Sequence, residues 1–149
     1  MLTHLELAID IQAPALSVWN GITNWPAQGK WMMGTKVHSL DGDGHAQDAR
    51  IEAFTGIGKL GFLDTMTITH WEPPLRCDVV HTGKVVRGTG TFQVTSIHEH
   101  ASRFLWAEDL EIPLGIVGKL GFSLIKPFFI WGIKKSLAKF AHLVEIGQI

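Results

Sequence analysis

Tyrosine is absent from this chain, although six tryptophans are present. No phenol is therefore available as an acid or a buried hydrogen-bond donor. Cys77 is the single cysteine, which excludes an intrachain disulfide and points to a reducing, cytoplasmic compartment. Asp78 beside it would raise the thiol pKa, so Cys77 is a poor nucleophile. Neither sign of charge dominates. With 13 Lys and Arg against 14 Asp and Glu, the net charge is −1, and nothing suits a nucleic-acid partner. Met1 to Leu7 alternates polar and apolar residues with no basic region and no apolar core, so it does not read as a signal peptide. There is no Gly-x-Ser-x-Gly, and Gly56, Gly58 and Gly61 do not fit a phosphate-binding loop. The histidines are numerous but scattered. His98 and His100 share a turn, and His38 and His45 flank a glycine turn without a third ligand, so neither a metal nor a cofactor is expected.

What is present is mostly strand pattern. Leu5, Leu7, Ile9 and Ile11 alternate with polar or small residues and predict a half-buried strand that stops at Ala13-Pro14. Pro14 suits the first position of a helix, and Val18, Trp19 and Ile22 give that short helix an apolar face. A second helical turn is expected over Trp25 to Lys30. Strands follow over Met33 to Leu40 and Gln47 to Thr55, joined at Asp41-Gly42-Asp43-Gly44. The run Gly56 to Gly61 reads as a loop. Four more strands are expected over Phe62 to Trp71, Arg76 to Val86, Gly90 to His98 and Arg103 to Ile112. Short turns between consecutive strands imply an antiparallel meander, and the whole reads as one α+β domain over residues 1–149.

The last third, Leu114 to Ile146, is one long apolar helical stretch. Ile116, Leu120, Leu124, Phe128 and Trp131 form one stripe; Val117, Gly121, Ile125, Phe129, Ile133 and Leu137 form another. A membrane span needs roughly 20 apolar residues with few or no charges. Lys119, Lys126 and Pro127 interrupt this one, so a buried helix covering the sheet is expected instead. Glycine inside a helix costs about 1 kcal/mol relative to alanine. Gly115, Gly118 and Gly121 therefore require either close packing or mobility, and mobility would make this half the gate of a cavity.

Several segments resemble one family. Ile9 to Trp19 is similar to an opening in which a strand ends at Ala-Pro and a helix carries Val-Trp. Trp25 to Trp31 resembles a tryptophan-bearing second helix, and Thr69 to Arg76 a strand ending in Pro-Pro and a basic residue. Gly88 to Phe92, Ser102 to Glu108 and Ser136 to Glu145 complete the order. This order resembles the helix-grip fold of the START and birch-pollen-allergen superfamily, also called SRPBCC, and within it the polyketide cyclase/dehydrase-like group. The resemblance implies a curved seven-stranded antiparallel sheet wrapped around the long C-terminal helix, with two short helices after the first strand. It also implies an apolar ligand cavity between sheet and helix.

The expected lining of that cavity is Trp19, Ile51, Met66, Ile68, Val79, Phe92, Val94, Phe104, Trp106, Leu120, Leu124 and Phe128. Its candidate polar groups are Asp64, His70, His81 and Glu108: alternation places Asp64 and His70 with Met66 and Ile68, and Glu108 with Phe104 and Trp106. The primary reading is a binding module for a small hydrophobic molecule such as a lipid, a polyketide-like aromatic or an isoprenoid. The alternative is a cyclase or dehydratase using a pocket carboxylate or histidine as general acid-base. A third reading, less favoured, is a peripheral membrane protein. It requires Phe128, Phe129 and Trp131 to be exposed together beside Lys126, Lys134 and Lys135. No feature of the sequence speaks to oligomeric state.

Overall fold

The computed structural model describes residues 2–149. Seven strands are present: β1 (Leu2–Ile11), β2 (Thr35–Ser39), β3 (Arg50–Ile57), β4 (Leu60–Glu72), β5 (Arg76–His81), β6 (Gly88–His98) and β7 (Ala101–Glu111). Helix α1 (Ala15–Ile22) and a 3-10 helix, Trp25–Lys30, follow β1, and α2 (Gly115–Glu145) closes the chain. The strands form one sheet in the order β1-β7-β6-β5-β4-β3-β2, antiparallel throughout. This is the expected α+β helix-grip architecture.

Boundaries depart from the sequence reading where glycine or a local hydrogen bond intervenes. Gly56 to Gly61 is not a loop: β3 and β4 continue into a tight hairpin whose turn is Gly58-Lys59, with Gly58 at φ 61°. β5 stops at His81 rather than Val86; the Thr82 N–H and hydroxyl both donate to the Thr65 carbonyl, at 2.7 and 3.0 Å, and the chain then leaves the sheet through Gly83. A bulge between Ile68 and His70 shifts the register of β4 against β5.

Register divides the sheet into two ends. Ile11, Ser102, Val94 and Trp71 lie towards one; Leu2, Glu111, Gly88 and the Gly58 turn lie towards the other. α2 begins at the second end and runs back to the first. The first end is closed. Ile11, Val18, Ile22, Phe104 and Phe140 have no exposed surface there. The Phe140 ring lies 5.0 Å from Trp31 and 5.8 Å from Phe104. Each such fully buried side chain contributes about 1.5–3 kcal/mol. Polar ties add to the closure. The Ser102 hydroxyl donates to the Ala13 carbonyl (2.8 Å), the Met33 N–H to Ser136 Oγ (3.1 Å), and the Gln12 N–H to Glu145 Oε1 (3.0 Å).

The two halves of α2 behave differently. Ile133, Ser136, Leu137, Phe140, Ala141 and Val144 are buried, as a helix gripped by a sheet requires. The first half is not the buried lid expected from its apolarity. Its best 18-residue window has a mean hydropathy of 1.4, yet only 6% of it is buried. A helix turns about 100° per residue. From the inward row of Ile133, Leu137 and Phe140, this rotation puts Phe122, Lys126, Phe129 and Ile130 towards the sheet, and Phe122, Lys126 and Ile130 are indeed half-buried. It puts Val117, Leu120, Leu124, Phe128 and Trp131 on the opposite side. α2 packs on β1 and α1, and the aromatic contact of its first half is Phe129 on Trp106, ring centroids 6.4 Å apart.

The glycines of this half divide between the two explanations. A Cβ at Gly118 would fall on the Pro113 carbonyl, so close approach demands glycine there. A Cβ at Gly121 would meet nothing within 4 Å, so packing does not.

Candidate functional site

Three of the four expected polar residues meet on the inner face, near the open end. His81 Nδ1 lies 2.9 Å from Asp64 Oδ1, and its Nε2 lies 2.9 Å from Glu108 Oε2. The side chains come from β4, β5 and β7. His81 and Glu108 are buried, with side chains 5% and 10% exposed, and Asp64 is half-buried at 13%.

The meeting of His81 and Glu108 has a specific cause. β5 and β7 are not neighbours; β6 runs between them, so the span is two strand spacings, about 9.6 Å. Along this stretch β6 presents Gly88 and Gly90. Gly90 pairs with Val79 on one side and Glu108 on the other. A Cβ at Gly90 would lie 2.9 and 3.0 Å from the two Glu108 carboxylate oxygens. The glycine therefore vacates the space through which Glu108 reaches His81. Alternation alone places Glu108 on the inner face; the gap at Gly90 is what lets it reach His81.

The electrostatics follow from burial and pairing. Burial pulls the His81 pKa down, but hydrogen bonds to Asp64 and Glu108 and the charges of both outweigh it and hold the imidazole at about 9. His81 is thus an imidazolium near neutral pH, donating one N–H to each carboxylate. Burial pushes the Glu108 carboxyl up, and the His81 hydrogen bond and charge oppose that rise. The arrangement can hold a proton between a buried imidazole and a buried carboxylate, with Asp64 orienting the ring.

His70, the fourth candidate, is elsewhere. The bulge after Ile68 turns it off the inner face, where it lies 46% exposed and 2.9 Å from Glu72 Oε2. The expected lining also separates. Ile51, Ile68, Val94 and Phe104 on the inner face, and Trp19 on α1, are sealed in the core, none more than 3% exposed. Met66, Val79 and Phe92 are half-buried, and with Trp106 they surround the buried charges. Leu120, Leu124 and Phe128 do not line this face: they are 64, 76 and 76% exposed, on the side of α2 turned away from the sheet.

Where Phe129, Ile130 and Ile133 lie over Leu5, Leu7 and Trp106, the gap left is about 20 Å³. Ligand pockets run to about 300–1,000 Å³. Cys77 is buried, and burial together with Asp78 pushes its thiol up to about 12, as its sequence neighbour suggested.

This fold is that of a known group of proteins. Residues 3–145 match the family described as polyketide cyclase/dehydrase and lipid transport, and the chain belongs to that family. It is thereby a member of the SRPBCC superfamily, in the polyketide cyclase-like branch. No curated protein matches it. Among solved structures, the chain is similar to the Zhui aromatase/cyclase of Streptomyces sp. R1128, with 13% identity, a TM-score of 0.78, and 97% of this chain and 94% of that one covered. A protein of Thermus thermophilus gives 13% identity and a TM-score of 0.77 over 99% and 100% of the two chains. A START superfamily protein of Mycobacterium smegmatis gives 12% identity and a TM-score of 0.68 over 90% and 93%.

Proposed function

We propose that the chain binds a small hydrophobic molecule bearing an oxygen function, with its apolar body against Met66, Val79, Phe92 and Trp106 and its polar end at Glu108. The observation that carries this reading is the buried chain Asp64–His81–Glu108 on an otherwise apolar inner face. Taking three ionisable groups out of water is costly, and apolar replacements are often no less stable. Titratable groups perturbed by burial and by a charged partner are concentrated at functional sites. Ligand entry past Trp106 requires Phe129 and Ile130 to move off it, because the gap there is only about 20 Å³. Gly121, which packs against nothing, supports that half as a gate. The ligand belongs to the lipid, polyketide-like aromatic or isoprenoid class, and the buried, unpaired Cys77 agrees with a cytoplasmic setting.

The test is native mass spectrometry of the purified chain, followed by titration with fatty acids, isoprenoid alcohols and polycyclic aromatics. Tryptophan emission reads out binding, since no tyrosine contributes. The expected result is a bound apolar mass or a saturable change with at least one class, abolished by Val79→Trp. An absence of both across the panel would sink the reading.

A second reading is catalytic. Glu108 acts as general acid-base in a cyclisation or dehydration, with His81 and Asp64 positioning it. Its support is the burial that raises the Glu108 carboxyl and the Zhui aromatase/cyclase as a structural relative. Incubation with a β-diketone in deuterated water tests it. Exchange at the carbon between the carbonyls, lost in Glu108→Gln while binding persists, is the expected outcome; equal exchange in both proteins removes the catalytic role.

A further inference from the structure

We propose that the outward face of the first half of α2, together with the tip of the β3–β4 hairpin, docks on the surface of a bilayer that carries anionic lipids. This surface is separate from the inner-face site and does not depend on a ligand there. Leu114, Ile116, Val117, Leu120, Leu124, Phe128 and Trp131 are between 57% and 80% exposed. Val117, Leu120, Leu124, Phe128 and Trp131 form a continuous stripe over four turns, on the side of α2 opposite its packed face. The same end of the molecule carries Ile57 and Leu60 at the hairpin tip, 87% and 83% exposed, and Val85 in the β5–β6 connection, 58% exposed. Register brings these segments to one end, because the Gly58 turn, the start of β6 and the end of β7 lie together there. An exposed apolar stripe of this length on a folded domain, with further exposed apolar residues at the same end, marks an interaction surface.

Charge selects the partner. The chain as a whole is nearly neutral, at −1. Yet residues 112–144 contain no Asp or Glu. Of their five lysines, Lys119 and Lys126 fall on the sheet side of α2, while Lys134, Lys135 and Lys139 are exposed where the outward stripe ends. Residues 56–63 and 82–88 likewise contain no acid, and they add Lys59, Lys84 and Arg87. A second copy paired through this stripe would set lysines against lysines with no carboxylate between them, so the chain itself is a poor occupant. An anionic bilayer supplies both the apolar depth and the missing negative charge.

The order along the helix fits a membrane boundary. The apolar stripe ends at Trp131, and Lys135 Nζ lies 5.8 Å over its ring. Beside that point is a hollow of about 370 Å³ lined by Lys30, Lys135 and Lys139 and by no carboxylate. Because α2 keeps its other face on β1 and Trp106, it lies along the surface rather than crossing.

The experiment is co-sedimentation of the full chain with vesicles of phosphatidylcholine alone and of phosphatidylcholine with about 30% phosphatidylserine. Binding to the anionic vesicles is expected to be at least about tenfold tighter and to weaken with salt. Leu124→Ser with Phe128→Ser should abolish it, and Lys134→Glu with Lys135→Glu should remove the preference for phosphatidylserine. Both pairs are exposed, so the melting temperature should not change. Three outcomes overturn the proposal. One is equal or absent binding to the two vesicle types. Another is wild-type binding by the serine variant. The third is a dimer in sedimentation velocity that the serine pair dissociates, which would assign the face to a second copy.

Discussion

The closed and open ends of this sheet are built from similar residues used in opposite senses. At the closed end, apolar side chains are inside: Ile11, Val18, Phe104 and Phe140 have no exposed surface. At the open end, the inside holds Asp64, His81 and Glu108, while Ile57, Leu60, Leu114 and Ile116 face outward. The first arrangement maximises burial and stabilises the fold. The second sacrifices burial and places charge where desolvation makes it strong. One helix, α2, spans both ends. Its apolarity therefore says that it has partners, and only its rotation says on which side they lie.

The contrast can be broken most forcefully at the closed end. Phe140→Ala should cost about 3–5 kcal/mol in denaturant unfolding, because a fully buried ring leaves a cavity between Trp31 and Phe104. At the open end the corresponding handle is the proton. Gly90→Ala pushes the Glu108 carboxylate away from His81, and the imidazole midpoint, followed by NMR, should fall from about 9 towards 6.5.

Stability against pH should show the same coupling. His81 binds its proton more tightly folded than unfolded, so its contribution is full below 6.5 and is lost as pH rises through about 9. Glu108, whose carboxyl burial pushes up, acts in the same direction from 4.5 upward. Melting temperatures should therefore decline across that alkaline window in the wild type and decline less in Gly90→Ala. A smaller effect is expected from Gly121→Ala. With no neighbour within 4 Å it should stabilise by about 1 kcal/mol through helix propensity alone, read from thermal unfolding. The smallest belongs to Phe128→Ser, which should move stability by less than about 0.5 kcal/mol despite the size of the residue removed. A cost like that of Phe140→Ala would show that the outward face of α2 is covered in solution.

Much of this was legible in the residues. Alternation located the strands to within a few positions, and the terminal apolar run located α2. Inner-face parity brought Asp64, His81 and Glu108 to the right side of the sheet. His70 was misplaced because alternation counts by twos and a bulge adds one residue to the count. Leu120, Leu124 and Phe128 were misplaced for a different reason. An apolar helix with two stripes has no unique inward face, and Ile133 and Phe140, which dock on the closed end, set the rotation for residues upstream. The Asp64–His81–Glu108 chain itself depends on a side chain that is missing, Gly90, and a glycine in a strand reads as weakness before it reads as room.

That vacancy in β6 also makes a statement about inheritance. Positions 64, 81, 90 and 108 lie on four different strands, yet they form one unit of change. Gly90→Ala and His81→Gln should therefore be strongly non-additive in a double-mutant cycle, because either alone undoes the same contact. Among related sequences, a side chain at position 90 and an acid at position 108 joined to an imidazole at position 81 should exclude one another. The record of the site is then to be sought in which residues vary together as much as in which stay constant.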